Sequence, residues 1–212
     1  SITIAAAGTV TLGSVTFQTT GTVLIFEDDD MLLADSNSAA TLTLNGAAQI
    51  SNAAAASVTV SGNADLTAPA IELGYAAADA LNFGSLTLHS TGTVLITEDS
   101  SMSIVNTSSV NDLTLVAASG GLSIDGTLTI ISAADLLASG TNDLTLSGTM
   151  QTTAGSILLR ASRDVLFGAS SLLSSTTGPV TVNAAALGGG SPSSGAITMS
   201  NGSQLNAGSG IV

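Results

Sequence analysis

The feature that most constrains this chain is a phrase that returns in register. Gly13 to Met31 reads GSVTFQTTGTVLIFEDDDM, and Gly84 to Met102 reads GSLTLHSTGTVLITEDSSM, at a shift of 71 (84 − 13). Aligned without gaps, 12 of the 19 positions are identical. A more divergent copy, GSILLRASRDVLFGASSLL, starts at Gly155, at the same shift again (155 − 84 = 71). Copies held at a fixed spacing define a repeat architecture, in which each unit buries its apolar face only against its neighbours.

The local signal inside the repeat is a short apolar–Thr–apolar triplet. It occurs as Val15-Thr16-Phe17, Leu42-Thr43-Leu44, Leu86-Thr87-Leu88, Leu113-Thr114-Leu115, Leu144-Thr145-Leu146 and Val180-Thr181-Val182, among others. Alternation with period two places the aliphatics on one face and the Thr on the other. Gly, Asn, Asp and Ser bound each triplet, as turns require. Sustained helical periodicity is absent, and the Ala-rich pieces near Ala53 and Ala76 are too short to hold a helix. Counting triplets and weaker strands gives about nine strands in each repeat. The expectation is therefore an all-β solenoid of about nine coils of roughly 24 residues, three coils to a repeat. The central Thr residues should then stack in outward rows. A non-solenoid all-β domain with duplicated sequence is the alternative; the in-register repeat favours the solenoid. Residues 1–212 read as a single solenoid segment, with repeat copies starting near 13, 84 and 155, and as an excerpt of a longer chain or fibre. Ala184 to Gly195, with Gly188-Gly189-Gly190 at its centre, reads as a protruding loop.

Composition narrows the functions. The apolar residues are almost all aliphatic, since aromatics are 2% of the chain and Trp is absent. That suits a narrow interior of stacked side chains. Fifteen acids face two cations, Arg160 and Arg163, for a formal net charge of −13. Nucleic acid and anionic membrane surfaces need clustered cations, so neither is expected as a partner. No apolar run approaches the ~18 residues of a spanning helix, so no membrane insertion is expected. With no Cys, disulfides and thiolate metal sites are excluded.

The phrases GSVTFQTTGTVLIF, GSLTLHSTGTVLIT and GSILLRASRDVLFG resemble the degenerate repeats of filamentous-haemagglutinin-type exoproteins and related bacterial β-solenoid surface adhesins. The resemblance covers most of the chain. It implies a right-handed parallel β-helix, an extracellular or cell-surface location, and a structural or adhesive role. End-to-end self-association into a fibre and a host or cell-surface ligand are the partners it suggests.

No group of residues reads as catalytic, cofactor-binding or metal-ligating. Glu27-Asp28-Asp29-Asp30, echoed by Glu98-Asp99, could offer oxygens to Ca²⁺. The third copy has Ala169 and Ser170 there, and a solvated acidic turn is the plainer reading. His89, the only His, takes the place of Gln18 and Arg160 in the other copies and is expected to face water. Asp164 with Arg160 and Arg163 should form a surface ion pair rather than the groove of a polysaccharide enzyme. Glu72 and Leu158 interrupt the Thr rows, which argues against ice binding. Leu24, Leu95 and Leu166 share one repeat position and could form a lateral stripe, or lie partly covered where the strand bends. Scarce aromatics, with only Tyr75 available, argue against sugar stacking. The favoured function is a structural segment of an extracellular shaft, adhesin or fibre, without enzymatic activity. A binding module for carbohydrate, calcium or ice, using the Thr face or the acidic turns, is the alternative.

Overall fold

A computed structural model describes residues 1–5, 9–185 and 195–209. Every ordered element among them is a strand, and every strand pairing is parallel. Parallel strands cannot be joined by tight hairpins; here each chain segment returns to its sheet only after winding once around. The result is a β-solenoid of about eight turns, consistent with the expected right-handed parallel β-helix. One sheet holds eight strands, one per turn, from Met31–Leu33 up to Val180–Asn183, and the other path holds sixteen. At ~4.8 Å per turn, eight turns make a rod on the order of 40 Å long.

The alternation in the sequence sets the packing. In the strand Thr93–Glu98, Val94 and Ile96 are fully buried, while Leu95 and Thr97 alternate with them on the outer side. Pairing then stacks like on like: Ile50, Ile71, Val94, Leu113, Ala134, Ile157 and Val180 form one continuous inner column. Burying a Leu or Ile side chain stabilises by roughly 1.5–3 kcal/mol, so such columns dominate the stability of a chain with so few aromatics. Backbone hydrogen bonds run from coil to coil even through corners, as in Asp125 N–H to Ile104 C=O at 2.9 Å.

The turns are shorter than expected. Met31 pairs with Ile50, Ile50 with Ile71, and Ile71 with Val94, so three turns advance the chain by only 63 positions (94 − 31). Similar steps recur along both sheets, from Leu86↔Ile104 (104 − 86 = 18) to Ile157↔Val180 (180 − 157 = 23). The step from Phe167 to Met199 is longer (199 − 167 = 32) and contains the loop expected at Ala184 to Gly195; positions 186–194 of that loop lie outside the described residues. The sequence repeat therefore exceeds three turns by eight positions (71 − 63), about one strand and its corner. Each copy is turned by one face. The strand Thr22–Glu27 lies in the sixteen-stranded sheet, and its copy Thr93–Glu98 lies in the eight-stranded one. A turn is shorter than one third of the repeat because the repeat spans ten strand positions rather than nine.

Corners travel with the sequence rather than with the face. Asp35 and Asn106, one repeat apart, both adopt left-handed backbone, with φ of 56° and 57°. Short Asx side chains tolerate that region best among residues bearing a Cβ. The Asn106 corner has a further effect. Leu86 and His89, three apart on one strand, pair above with Ile104 and Ser109, which are five apart. The continuous strand Ala80–His89 is thus overlain by two short strands, Met102–Ile104 and Thr107–Val110.

Candidate functional site

The acidic turn divides in two. Asp28, Asp29 and Asp30 are exposed, as a solvated turn requires. Asp28 accepts the Val10 N–H at 2.9 Å, and Asp30 accepts the Gln49 N–H at 3.1 Å, so both carboxylates cap neighbouring backbone. Glu27 and Glu98 depart from the expectation. They are 5% and 0% exposed, among the most enclosed polar side chains in the molecule. Period two explains it, because Glu27 shares the parity of Val23 and Ile25, and Glu98 that of Val94 and Ile96. That signal was present in the sequence, although the carboxylate's hydrophilicity points the other way.

Both glutamates perform the same task. Glu27 Oε1 accepts the Leu12 N–H at 2.7 Å, and Glu98 Oε1 accepts the Phe83 N–H at 2.8 Å. Beside them the Asp28 N–H donates to the Val10 carbonyl at 3.4 Å, and the Asp99 N–H to the Leu81 carbonyl at 3.3 Å. Each of these partners lies one sequence repeat from its counterpart. Ser100 Oγ also donates to Glu98 Oε1, at 2.9 Å. The second oxygen of each glutamate is enclosed without a hydrogen-bond partner. Burial pushes Glu98 up to about 7, against the pull of the Phe83 and Ser100 hydrogen bonds and with the neighbouring Asp99 charge adding to the rise. A second pair of clasps follows the same rule: Asn37 Oδ1 accepts the Phe17 N–H, and Ser108 Oγ accepts the Leu88 N–H, again one repeat apart.

The cations pair differently from the expectation. Arg160 grips Asp135 with Nη2 at 2.7 and 2.8 Å from the two carboxylate oxygens. Arg163 takes Asp143, with Nε 2.6 Å from Oδ1, and approaches Asp164 at 3.8 Å. Arg160 and Asp164 do not meet, because Arg160 sits in the strand Ile157–Ala161 and stacks over its coil neighbour below. The Arg163 hydrogen bond holds the Asp143 carboxyl below its usual range, outweighing partial burial.

His89 faces outward as expected, between Thr67 and Ser109, in a shallow depression shared with Pro69, Ser90 and Thr91. No carboxylate lines that depression. Among the described residues no three His, Asp or Glu side chains converge as a metal site would need. Tyr75 is exposed alone on the turn between Ala70–Leu73 and Ala80–His89.

The expected surface rows are rearranged by the turning of the repeat. Leu24 pairs with Thr3 and Thr43, Leu95 with Glu72 and Thr114, and Leu166 with Thr145 and Thr198. The three leucines share a repeat position but no stripe. The central Thr residues scatter likewise, and the outer row of the eight-stranded sheet reads Ser51, Glu72, Leu95, Thr114, Asp135, Leu158, Thr181. One face is more regular. The strands Thr107–Val110, Thr127–Ile130, Thr149–Thr152, Leu172–Ser175 and Gln204–Asn206 stack in order. They present two parallel outer rows, Thr107-Thr127-Thr149-Leu172-Gln204 and Ser109-Thr129-Gln151-Ser174-Asn206. None of these ten positions is ionisable, in a chain of net charge −13.

No known protein-family signature matches this chain, and no curated protein or solved structure is significantly similar to it. The arrangement defines a class by fold alone, a parallel β-solenoid held by aliphatic columns and internal polar clasps. No helix among the described residues is long and apolar enough to cross a membrane.

Proposed function

We propose that the chain is a structural segment of an extracellular bacterial shaft, adhesin or fibre, serving length and stiffness rather than catalysis. The observation that carries this reading is the unbroken parallel ladder from Ile2 through Val23, Leu42, Ala64 and Leu86 to Ile104, Ile124, Leu146, Phe167 and Met199. A rod whose every turn is hydrogen-bonded to the next resists stretching and local opening along its whole length. The resemblance of the repeat to filamentous-haemagglutinin-type exoproteins supports the cell-surface setting. Partners follow from the edges of the stack. Ile197 and Met199 sit at positions that are buried in the coils below, yet are 51% and 48% exposed. A further coil stacked in register would cover them, and unpaired strand edges recruit such coils. Electron microscopy of the chain, and of versions lengthened by whole coils, tests the reading. Rigid rods that lengthen by ~4.8 Å per added coil are expected; flexible or globular particles would overturn it.

The charge-free double row favours a second reading, in which that face binds an uncharged, hydroxyl-bearing surface such as a neutral polysaccharide. A neutral polysaccharide carries no cation to balance a carboxylate's charge, these rows present no carboxylate, and they repeat at ~4.8 Å along the rod. Co-sedimentation with insoluble neutral polysaccharide, compared with a Thr129→Glu variant, distinguishes this reading from a purely structural one. Thermal hysteresis of the solution would point to ice instead.

A further inference from the structure

We propose that Glu98 is a proton-controlled latch on the turn Asp99–Ser101: protonated, it stays inside and holds the Phe83 amide; deprotonated, it turns out to water and releases it. The ladder has a misfit at this point. The strand Ala80–His89 is continuous, but the coil above it first pairs at Leu86, with Ile104. The Phe83 N–H therefore points towards the next coil at a level where no strand receives it. Glu98 fills that gap with a carboxylate oxygen at 2.8 Å.

The side chain's other oxygen is the weak point. It is fully enclosed and has no partner. An ionised carboxylate in that position would carry charge where no donor reaches it, whereas water outside would solvate both oxygens. The groups around it do not compensate. Beside it runs the backbone of Leu81 and Phe83 in the adjoining strand Ala80–His89, Ala117 pairs with it from the strand above, and the charged group acting on it is Asp99, an acid. His89, on the same strand as Phe83, lies outside in the Thr67–Ser109 row. Both arginines are engaged elsewhere, Arg160 with Asp135 and Arg163 with Asp143 and Asp164. Opening consumes no reagent; the proton passes to solvent. With the carboxyl at about 7 inside and near 4.3 in water, the ratio of open to closed latch rises about tenfold per pH unit between those values and levels off above them.

Amide hydrogen exchange on the intact chain reads the latch directly. After correction for intrinsic rates, protection of the Phe83 amide should fall about tenfold per unit from pH 5 to 7 and flatten above. The Leu115 amide, in an uninterrupted part of the ladder, should not follow it. Glu98→Gln keeps an acceptor but cannot ionise, so its Phe83 protection should be flat across the same range. Ser100→Ala removes a donor that favours the ionised form, so the flattening should move to higher pH. Unchanged Phe83 protection in the parent chain would overturn the proposal. So would the same decline in Glu98→Gln, or, if that variant does not fold, an unmoved profile in Ser100→Ala.

Discussion

Val23 and Val94 occupy the same place in the sequence repeat and lie in different sheets. Val23 pairs with Ile2 and Leu42 in the sixteen-stranded sheet, and Val94 with Ile71 and Leu113 in the eight-stranded one. Both are wholly buried, so one sequence phrase serves equally well on two faces of the rod. The structural period is the turn, and the sequence period is ten strand positions.

Deletions separate the two periods. Removing Thr114 to Ala134 takes out a single turn and joins Leu113 to Asp135. Ala134 stacks directly on Leu113, so every later strand keeps its sheet. A folded β-rich rod, shorter by one turn, is expected by circular dichroism, because stability in a stack is nearly a sum of neighbour terms. Removing the sequence repeat Gly84 to Ala154 instead brings the strand Ile157–Ala161, native to the eight-stranded sheet, to a place in the sixteen-stranded sheet. All later strands are turned by one face, and this deletion should lose more thermal stability per residue removed. Equal losses would show that faces are interchangeable.

Neighbouring residues on one strand should respond very differently to truncation. Ile96 is fully buried and Leu95 sits on the outer side of the same strand. Ile96→Ala should cost roughly 2–5 kcal/mol, from lost burial and the cavity left behind. Leu95→Ala should cost less than about 1 kcal/mol. Urea unfolding of the two variants checks the parity.

The pH dependence of stability has a defined sign at Glu98. Its carboxyl titrates at about 7 in the fold and near 4.3 in the unfolded chain, so between those values the folded state binds more protons. The contribution of this group is then greatest below pH 4.3 and falls as pH rises to about 7, by up to roughly 4 kcal/mol. Asp143, held low by Arg163, acts the other way: its contribution is present above the ordinary aspartate value and is lost as pH falls below it. Glu98→Gln should therefore gain stability relative to the parent chain as pH rises from 5 to 7. A difference that does not change with pH would contradict this assignment.

Chelation tests the acidic turn. Asp28 and Asp30 already cap the Val10 and Gln49 amides, which accounts for their placement without an ion. Removing divalent cations should leave the Tm unchanged within about 1 °C, since nothing bound to the native state is lost. A saturable rise in Tm with millimolar calcium would make the turn a site. Asp30→Ala, which removes a cap, should cost about 0.5–1.5 kcal/mol with or without calcium.

Parity was legible residue by residue. Period-two alternation placed Val94, Ile96, Leu113 and Leu115 inside and Thr114 outside, and the same rule, applied without regard to polarity, also puts Glu27 and Glu98 inside; Thr87, expected outside, is covered and 4% exposed. The returning phrase pointed to a solenoid, in which every coil offers the next an equivalent inner surface, so one phrase can be reused on either face. The faces were not legible. Whether Leu24, Leu95 and Leu166 make a stripe, or whether Arg160 meets Asp164 or Asp135, depends on how much chain each turn consumes. That length is a sum of corner geometries, Asp35 and Asn106 among them, and each corner is fixed only when the coil beneath offers its carbonyls and amides. Alternation is a property of the backbone and is written locally. Register accumulates over turns, so only the tertiary structure decided which residues share a face.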